Sequence, residues 1–148
     1  GEKLDNCRTL LERITGAKAV LTKARDRNPA FKVRKGDDIG VKITLRGDGA
    51  NDVLTKSLEA AGKKIPARSF DKNGTVAFGV KEYIDYPGIR YDSKIGMLGF
   101  DVCISLAKPG ARIAKRRVAP RKLPTKQKVS KPEAMEFMKS EFGVNIEE

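Results

Sequence analysis

Histidine and tryptophan are both absent from the 148 residues. Without imidazole there is no Ser–His or Cys–His nucleophile, no histidine proton relay and no histidine-ligated metal. Two cysteines, Cys7 and Cys103, cannot build a four-ligand zinc site. Each lies in an apolar pattern, which predicts buried free thiols and a reducing compartment. No run of about 18 apolar residues occurs, so no segment reads as a membrane-spanning helix and no membrane partner is expected. No secretory signal pattern is visible. The chain starts at Gly1 without methionine, directly ahead of a helical pattern, so residues are expected upstream. Walker, dinucleotide-binding and nucleophile-elbow motifs are missing, and no cofactor, metal or small-molecule substrate is expected.

Acidic residues are missing from one place in particular. The stretch Lys108–Lys131 holds ten Lys or Arg, no Asp or Glu, no aromatic side chain and three prolines (Pro109, Pro120, Pro124). Prolines break a continuous helix, and so little apolar area cannot offset the entropy of ordering the segment. The composition predicts an arm that is disordered in the isolated protein and is neutralised by something acidic. A solvated linker or localisation tag is the plainer reading; an arm laid along phosphates is the sharper one. A second basic stretch, Lys23–Gly36, has six cations against Asp26. Of the net +12, the arm supplies +10 and this stretch +5, leaving −3 for the rest. Charge concentrated in two segments on a mildly acidic body is the footprint of a polyanion binder.

The remaining pattern reads as a single α+β domain over residues 1–148. Leu4, Cys7, Leu11 and Ile14 fall at helical spacing, and Gly16 closes that helix. Ala19–Thr22 is a short strand, and Pro29 and Gly36 make the basic stretch after it an exposed loop. Phe31 stands alone in that loop, suited either to packing the loop base on the core or to stacking on a base. Ile39, Val41, Ile43 and Leu45 alternate with polar residues, which predicts a strand presenting Lys42, Thr44 and Arg46 in a row. A second helix follows over residues 52–61 and ends at Gly62. Residues 63–74 read as a loop with a turn at Asn73-Gly74. TVAFGVKEYI and MLGFDVCISLA read as strands. Ser130 and Glu133 have capping-box spacing at the start of a last helix that Gly143 stops. The order suits a two-layer arrangement, a largely antiparallel sheet with helices on one face and extended basic loops.

Among chemistries, the carboxylates Asp71, Glu82, Asp85, Asp92 and Asp101 offer the one catalytic rival, a magnesium-dependent ribonuclease. No D-x-D or E-x-K spacing sits on a single strand, so scattered surface acids are the better account and no enzyme is expected. A non-specific nucleic-acid chaperone is the second rival. The arginine content favours bidentate phosphate contact, and neither basic stretch offers a rigid helix for the major groove. RNA is therefore the expected polymer.

KARDRNPAFKVRKGDDIGVKITLRG resembles the loop-and-strand signature of the large-subunit ribosomal protein L-five family, and FGVKEYIDYPGIRYD followed by KIGMLGFDV resembles its second signature. The likeness runs from LLERITGAK to the last helix. The arm APRKLPTKQKVSKPEAMEF is similar to the archaeal and eukaryotic branch. The resemblance implies an α+β protein of the cytoplasmic ribosome, bound to 5S rRNA and large-subunit rRNA in the central protuberance. It implies contact with peptidyl-site tRNA through Arg25, Arg27, Phe31, Lys32, Arg34 and Lys35. It implies a 5S contact at Thr44, flanked by Lys42 and Arg46, and a small-subunit protein partner across an intersubunit bridge. The rRNA contacts expected of the arm are Arg112, Lys115, Arg116, Arg117, Arg121, Lys122, Lys126 and Lys128. Members usually open with a strand and a glycine-rich turn, and this chain starts within that turn. Where a glutamine often follows Thr15-Gly16, this chain has Ala17, so that 5S contact is not expected here.

Overall fold

The computed structural model describes residues 2–147. It is an α+β protein, and the chain divides into two compact units, residues 1–56 with 82–98 and residues 57–81 with 99–148.

In the first unit the apolar stripe of the opening segment forms helix α1 (Glu2–Thr15), which buries Leu10 and Ile14. Glu2 and Asp5 in its first turn complement the helix dipole. The helix stops at Gly16, whose φ of 70° suits a residue without Cβ and whose N–H bonds the Glu12 carbonyl at 2.8 Å. Strands β1 (Val20–Lys23) and β2 (Asp38–Lys42) form an antiparallel ladder, Leu21 opposite Val41, and α1 packs on β2. A Cβ at Gly40 would stand 2.6 Å from Thr22 Oγ1, a contact that rotating the Thr22 side chain would relieve. Gly47, at φ 73°, turns the chain into helix α2 (Asp48–Ala60).

The segment 82–98 is fixed by one fully buried side chain. Tyr83 accepts the Asp92 N–H at its hydroxyl (3.0 Å) and donates that hydroxyl to the Asp92 carbonyl (3.3 Å). The Asp92 carboxylate in turn accepts Arg13 Nη1 and the Lys94 N–H, each at 2.9 Å. These bonds hold its carboxyl below the usual carboxylate range, the Arg13 bond first and the Lys94 N–H second.

In the second unit α2 ends through Gly62 (φ 76°) and Lys63 (φ 55°), with the Lys63 N–H on the Leu58 carbonyl at 2.7 Å. Strand β3 (Lys64–Pro66) pairs in parallel with the last strand, β6 (Asn145–Glu147), which places fully buried Ile65 beside Ile146. Strands β4 (Thr75–Val80) and β5 (Phe100–Ser105) run antiparallel. Their pairs Val76–Ile104, Phe78–Val102 and Val80–Phe100 share the side of the ladder that the alternation assigns to the core. At Gly99 a Cβ would sit 2.6 Å from the Lys81 carbonyl oxygen, so the chain can enter β5 there only without a side chain. Helix α3 (Lys131–Phe142) buries Ala134 and Met138 and ends at Gly143 (φ 63°), whose N–H bonds the Lys139 carbonyl. Ser130 caps it in part: its hydroxyl donates to Glu133 Oε1 at 3.2 Å, and the helix N–H groups receive no bond from Ser130 Oγ.

The α+β class and all three helices agree with the reading of the sequence. Residues 63–74, read as a loop, contain strand β3, and the strand read over 75–84 ends at Val80; three further details differ. First, among the described residues the strands form three two-stranded ladders, not one joined sheet, and the β3–β6 ladder is parallel. Three-residue strands carry no alternation to read, and their pairing is set by burial of Ile65 and Val144. Second, β2 stops at Lys42, because its partner β1 starts opposite it at Val20. Third, the thiols are not buried: Cys7 is half-buried and Cys103 exposed, on the outward side of the β4–β5 ladder.

Candidate nucleic-acid interface

The basic loop 23–36 continues the β1–β2 ladder beyond its last paired residues. Ala24 N–H bonds the Asp37 carbonyl (2.8 Å), and Gly36 N–H bonds the Ala24 carbonyl (2.9 Å). Further out, Asn28 and Val33 exchange both backbone hydrogen bonds, at 2.9 and 3.0 Å. Between them Pro29–Phe31 makes one 3-10 turn, capped by Asn28 Oδ1 on the Ala30 N–H and closed by Lys32 in the left-handed conformation, φ 55°. The Asp37 carboxylate also accepts the Arg34 N–H at 2.8 Å. The result is a bonded finger, with Arg25, Arg27, Lys32, Arg34 and Lys35 all exposed along it. Phe31, at the turn, is 77% exposed. It does not pack the loop base onto the core, a role taken by buried Ala24. Past β2 the alternation of exposure persists without ladder bonds. Lys42, Thr44 and Arg46 remain exposed while Val41, Ile43 and Leu45 are half-buried, so the expected row exists, on a strand for Lys42 only.

The arm is not featureless, in contrast to the disorder expected from composition. It makes 3-10 turns at Ala111–Ala114 and Thr125–Gln127, and the Arg121 N–H reaches back to the Ile113 carbonyl at 3.0 Å. At the apex Arg116 Nε donates to the Ala119 carbonyl (3.0 Å), with Ala119 itself at φ 48° and Val118 78% exposed. At the neck Lys108 Nζ sits 2.8 Å from Glu133 on α3 and 3.3 Å from the Lys126 carbonyl. That lysine, with Ser130 as a lesser contributor, holds the Glu133 carboxyl below its ordinary value. Backbone bonds within the arm replace the apolar burial it lacks. Arg112, Lys115, Arg116, Arg117, Arg121, Lys122, Lys126 and Lys128 are all exposed.

Ion pairing decides whether this charge is spent within the protein. Among the described residues none of the loop's six cations makes a salt bridge, and of the arm's ten only Lys108 does. The acidic rival fares differently. Asp92 is committed to Arg13 and the Lys94 N–H, Asp71 to the Lys72 N–H, and no group of three metal-ligating side chains occurs among the described residues. The sequence reading missed two things: the Asp92–Tyr83 fastening, and an apolar cleft beside the arm. Tyr83 and Asp92 are nine residues apart in an irregular segment, where no periodicity points to a partner; the cleft's lining residues are scattered along the second unit.

Two loops whose cations, Lys108 apart, make no ion pair among the described residues give this α+β protein the charge layout of one that meets extended polyanions. Comparison narrows the class. The model of the C-terminal region of the ribosomal L-five protein family matches residues 38–140. The chain is 45% identical to the large ribosomal subunit protein uL5 of Methanosphaera stadtmanae over 147 residues, covering 99% of this chain and 88% of that one. It is 48% identical to uL5 of Sulfurisphaera tokodaii (100% and 84%) and 42% identical to uL5 of Methanococcoides burtonii (99% and 87%). The chain belongs to the ribosomal L-five (uL5) family, and so stands among ribosomal proteins rather than enzymes.

Proposed function

We propose that this chain is a structural constituent of the large ribosomal subunit in the cytoplasm and binds 5S rRNA in the central protuberance. Residues 1–148 serve as one rRNA-binding module. The arm cations Arg112, Lys115, Arg116, Arg117, Arg121, Lys122, Lys126 and Lys128 neutralise phosphates of 5S and large-subunit rRNA, joined by Lys42, Thr44 and Arg46. The finger places Arg25, Arg27, Lys32, Arg34 and Lys35 on peptidyl-site tRNA, with Phe31 stacking on a base or ribose. A small-subunit protein across an intersubunit bridge completes the set of partners. The observation that carries this reading is the unpaired charge of the two basic segments, of which only Lys108 has an acidic partner among the described residues.

Filter binding of the full chain to 5S rRNA tests it. Neutralising about six phosphates gives a log–log salt slope of about −4 to −5. A slope near zero rules the electrostatic account out. Unrelated duplexes competing as well as 5S rRNA would favour a non-specific chaperone, and RNA cut in the presence of magnesium would favour the nuclease.

A further inference from the structure

The returning half of the arm leaves a cleft of about 320 Å³ in the second unit, walled by half-buried Leu106, Leu123 and Val129. The Val129 wall depends on a glycine: at Gly74, φ 79°, a Cβ would stand 2.7 Å from the Val129 Cβ. Asn73, Gln127 and Lys128 also line the cleft. Neither carboxamide has a hydrogen-bond partner among the described residues, and Lys128 has no ion pair. Each carboxamide offers two donors and an acceptor, the set that reads a base edge.

An apolar slot with free carboxamides and an unpaired cation, built partly on a +10 segment without one acid, complements a particular ligand. It has an apolar body, a hydrogen-bonding rim and an anionic tail. An apolar side chain from a protein partner would leave the amides and the charge unused. A phosphate alone would leave the slot unused. A nucleotide uses all three, and unpaired RNA bases are recognised by enclosure of the ring with hydrogen bonds to its edges. We infer that this cleft takes one unstacked nucleobase of bound RNA, with Asn73 and Gln127 bonding its edge and Lys128 its phosphate. The inference rests on the RNA-binding reading above and deepens it from phosphate neutralisation to base recognition.

AMP tests the cleft on the full chain without any polymer. In NMR of labelled protein, AMP saturably shifts the methyls of Leu106, Leu123 and Val129 and the carboxamides of Asn73 and Gln127. Ribose 5-phosphate and inorganic phosphate move only lysine resonances. Leu123→Trp fills the slot and lowers AMP affinity about tenfold or more, and the exposed pair Asn73→Ala/Gln127→Ala, which disturbs no core, lowers it about tenfold. The salt slope on 5S rRNA stays unchanged in both, since no charge is altered. Three results overturn the inference: sugar phosphate reproducing the AMP pattern, methyls that stay put, or a double variant that binds AMP as wild type does. AMP seated in the cleft of a protein that ignores 5S rRNA sinks the proposed ribosomal contact and supports the cleft.

Discussion

The finger between β1 and β2 and the arm between β5 and α3 carry one kind of charge on two kinds of backbone. The finger is a ladder extended: paired bonds at Ala24–Gly36 and Asn28–Val33 carry strand geometry out to a turn that exposes an aromatic ring. The arm has no ladder. It holds its form by 3-10 turns, an apex bond from Arg116 to Ala119, and a lysine clasp onto α3. A ladder suits presenting a few groups at a fixed place, and a clasped loop of turns suits following a phosphate track. Charge alone makes the two segments look alike; their hydrogen bonds separate them.

The largest expected effect tests that division of labour. Replacing Arg116, Arg117, Arg121 and Lys122 by alanine removes four unpaired arm cations. The salt slope on 5S rRNA should shrink by about 3 to 4, with a matching loss of affinity at low salt. The same number of changes on the finger (Arg25, Arg27, Lys32, Arg34) should leave 5S affinity close to wild type and weaken tRNA retention on reconstituted ribosomes. Equal losses from both sets would erase the distinction.

Next comes Phe31→Ala. Loss of one stacked base costs about 1–3 kcal/mol in tRNA contact. Thermal stability should hold within about 0.5 kcal/mol, because a ring 77% exposed contributes little to folding. A clear drop in melting temperature would return Phe31 to the core.

A smaller effect follows from the two depressed carboxylates, Glu133 at the arm's neck and Asp92 beside Tyr83. A folded-state pKa below the unfolded one gives stability that is present above the unfolded value and lost as pH falls through the folded one. Acidification should therefore loosen the clasp, read as faster cleavage of the arm by an acid-active protease while the pH is held low. Glu133→Gln should give faster tryptic cleavage at Arg116–Arg117 already at neutral pH. The finger is held by its backbone ladder as well as by Asp37 on the Arg34 N–H, so its cleavage at Arg25 and Arg27 should change less. The smallest effect is Ala119→Gly: relief of the left-handed φ of 48° and the added chain entropy of glycine nearly cancel, within about 0.5 kcal/mol.

Much of this architecture is legible in the chain because period and punctuation speak for themselves. Alternation from Val76 to Val80 and from Phe100 to Leu106 states which side faces inward, and Gly16, Gly62 and Gly143 stop helices where they stand in the sequence. The basic segments are equally plain, since like charge in an acid-free run needs no structure to be seen. What escapes is whatever depends on distant partners. β3 and β6 are three residues each and exist because Lys63 offers its carbonyl to Asn145, far along the chain. The arm's internal bonds, Arg121 to Ile113 and Lys108 to Lys126, are likewise invisible to composition, which registers only repulsion. Cys103 misleads for a related reason: it sits between apolar neighbours, yet strand alternation turns it outward.

Leaving so many like charges without acidic neighbours has an effect on the protein before it meets any nucleic acid. In the free chain those cations push one another apart, and mobile anions from the buffer are what quiet them. Raising potassium chloride should therefore pull in two directions at once, slowing proteolysis of the unliganded arm while releasing the same arm from RNA. A single titration followed by both readouts would show the curves crossing.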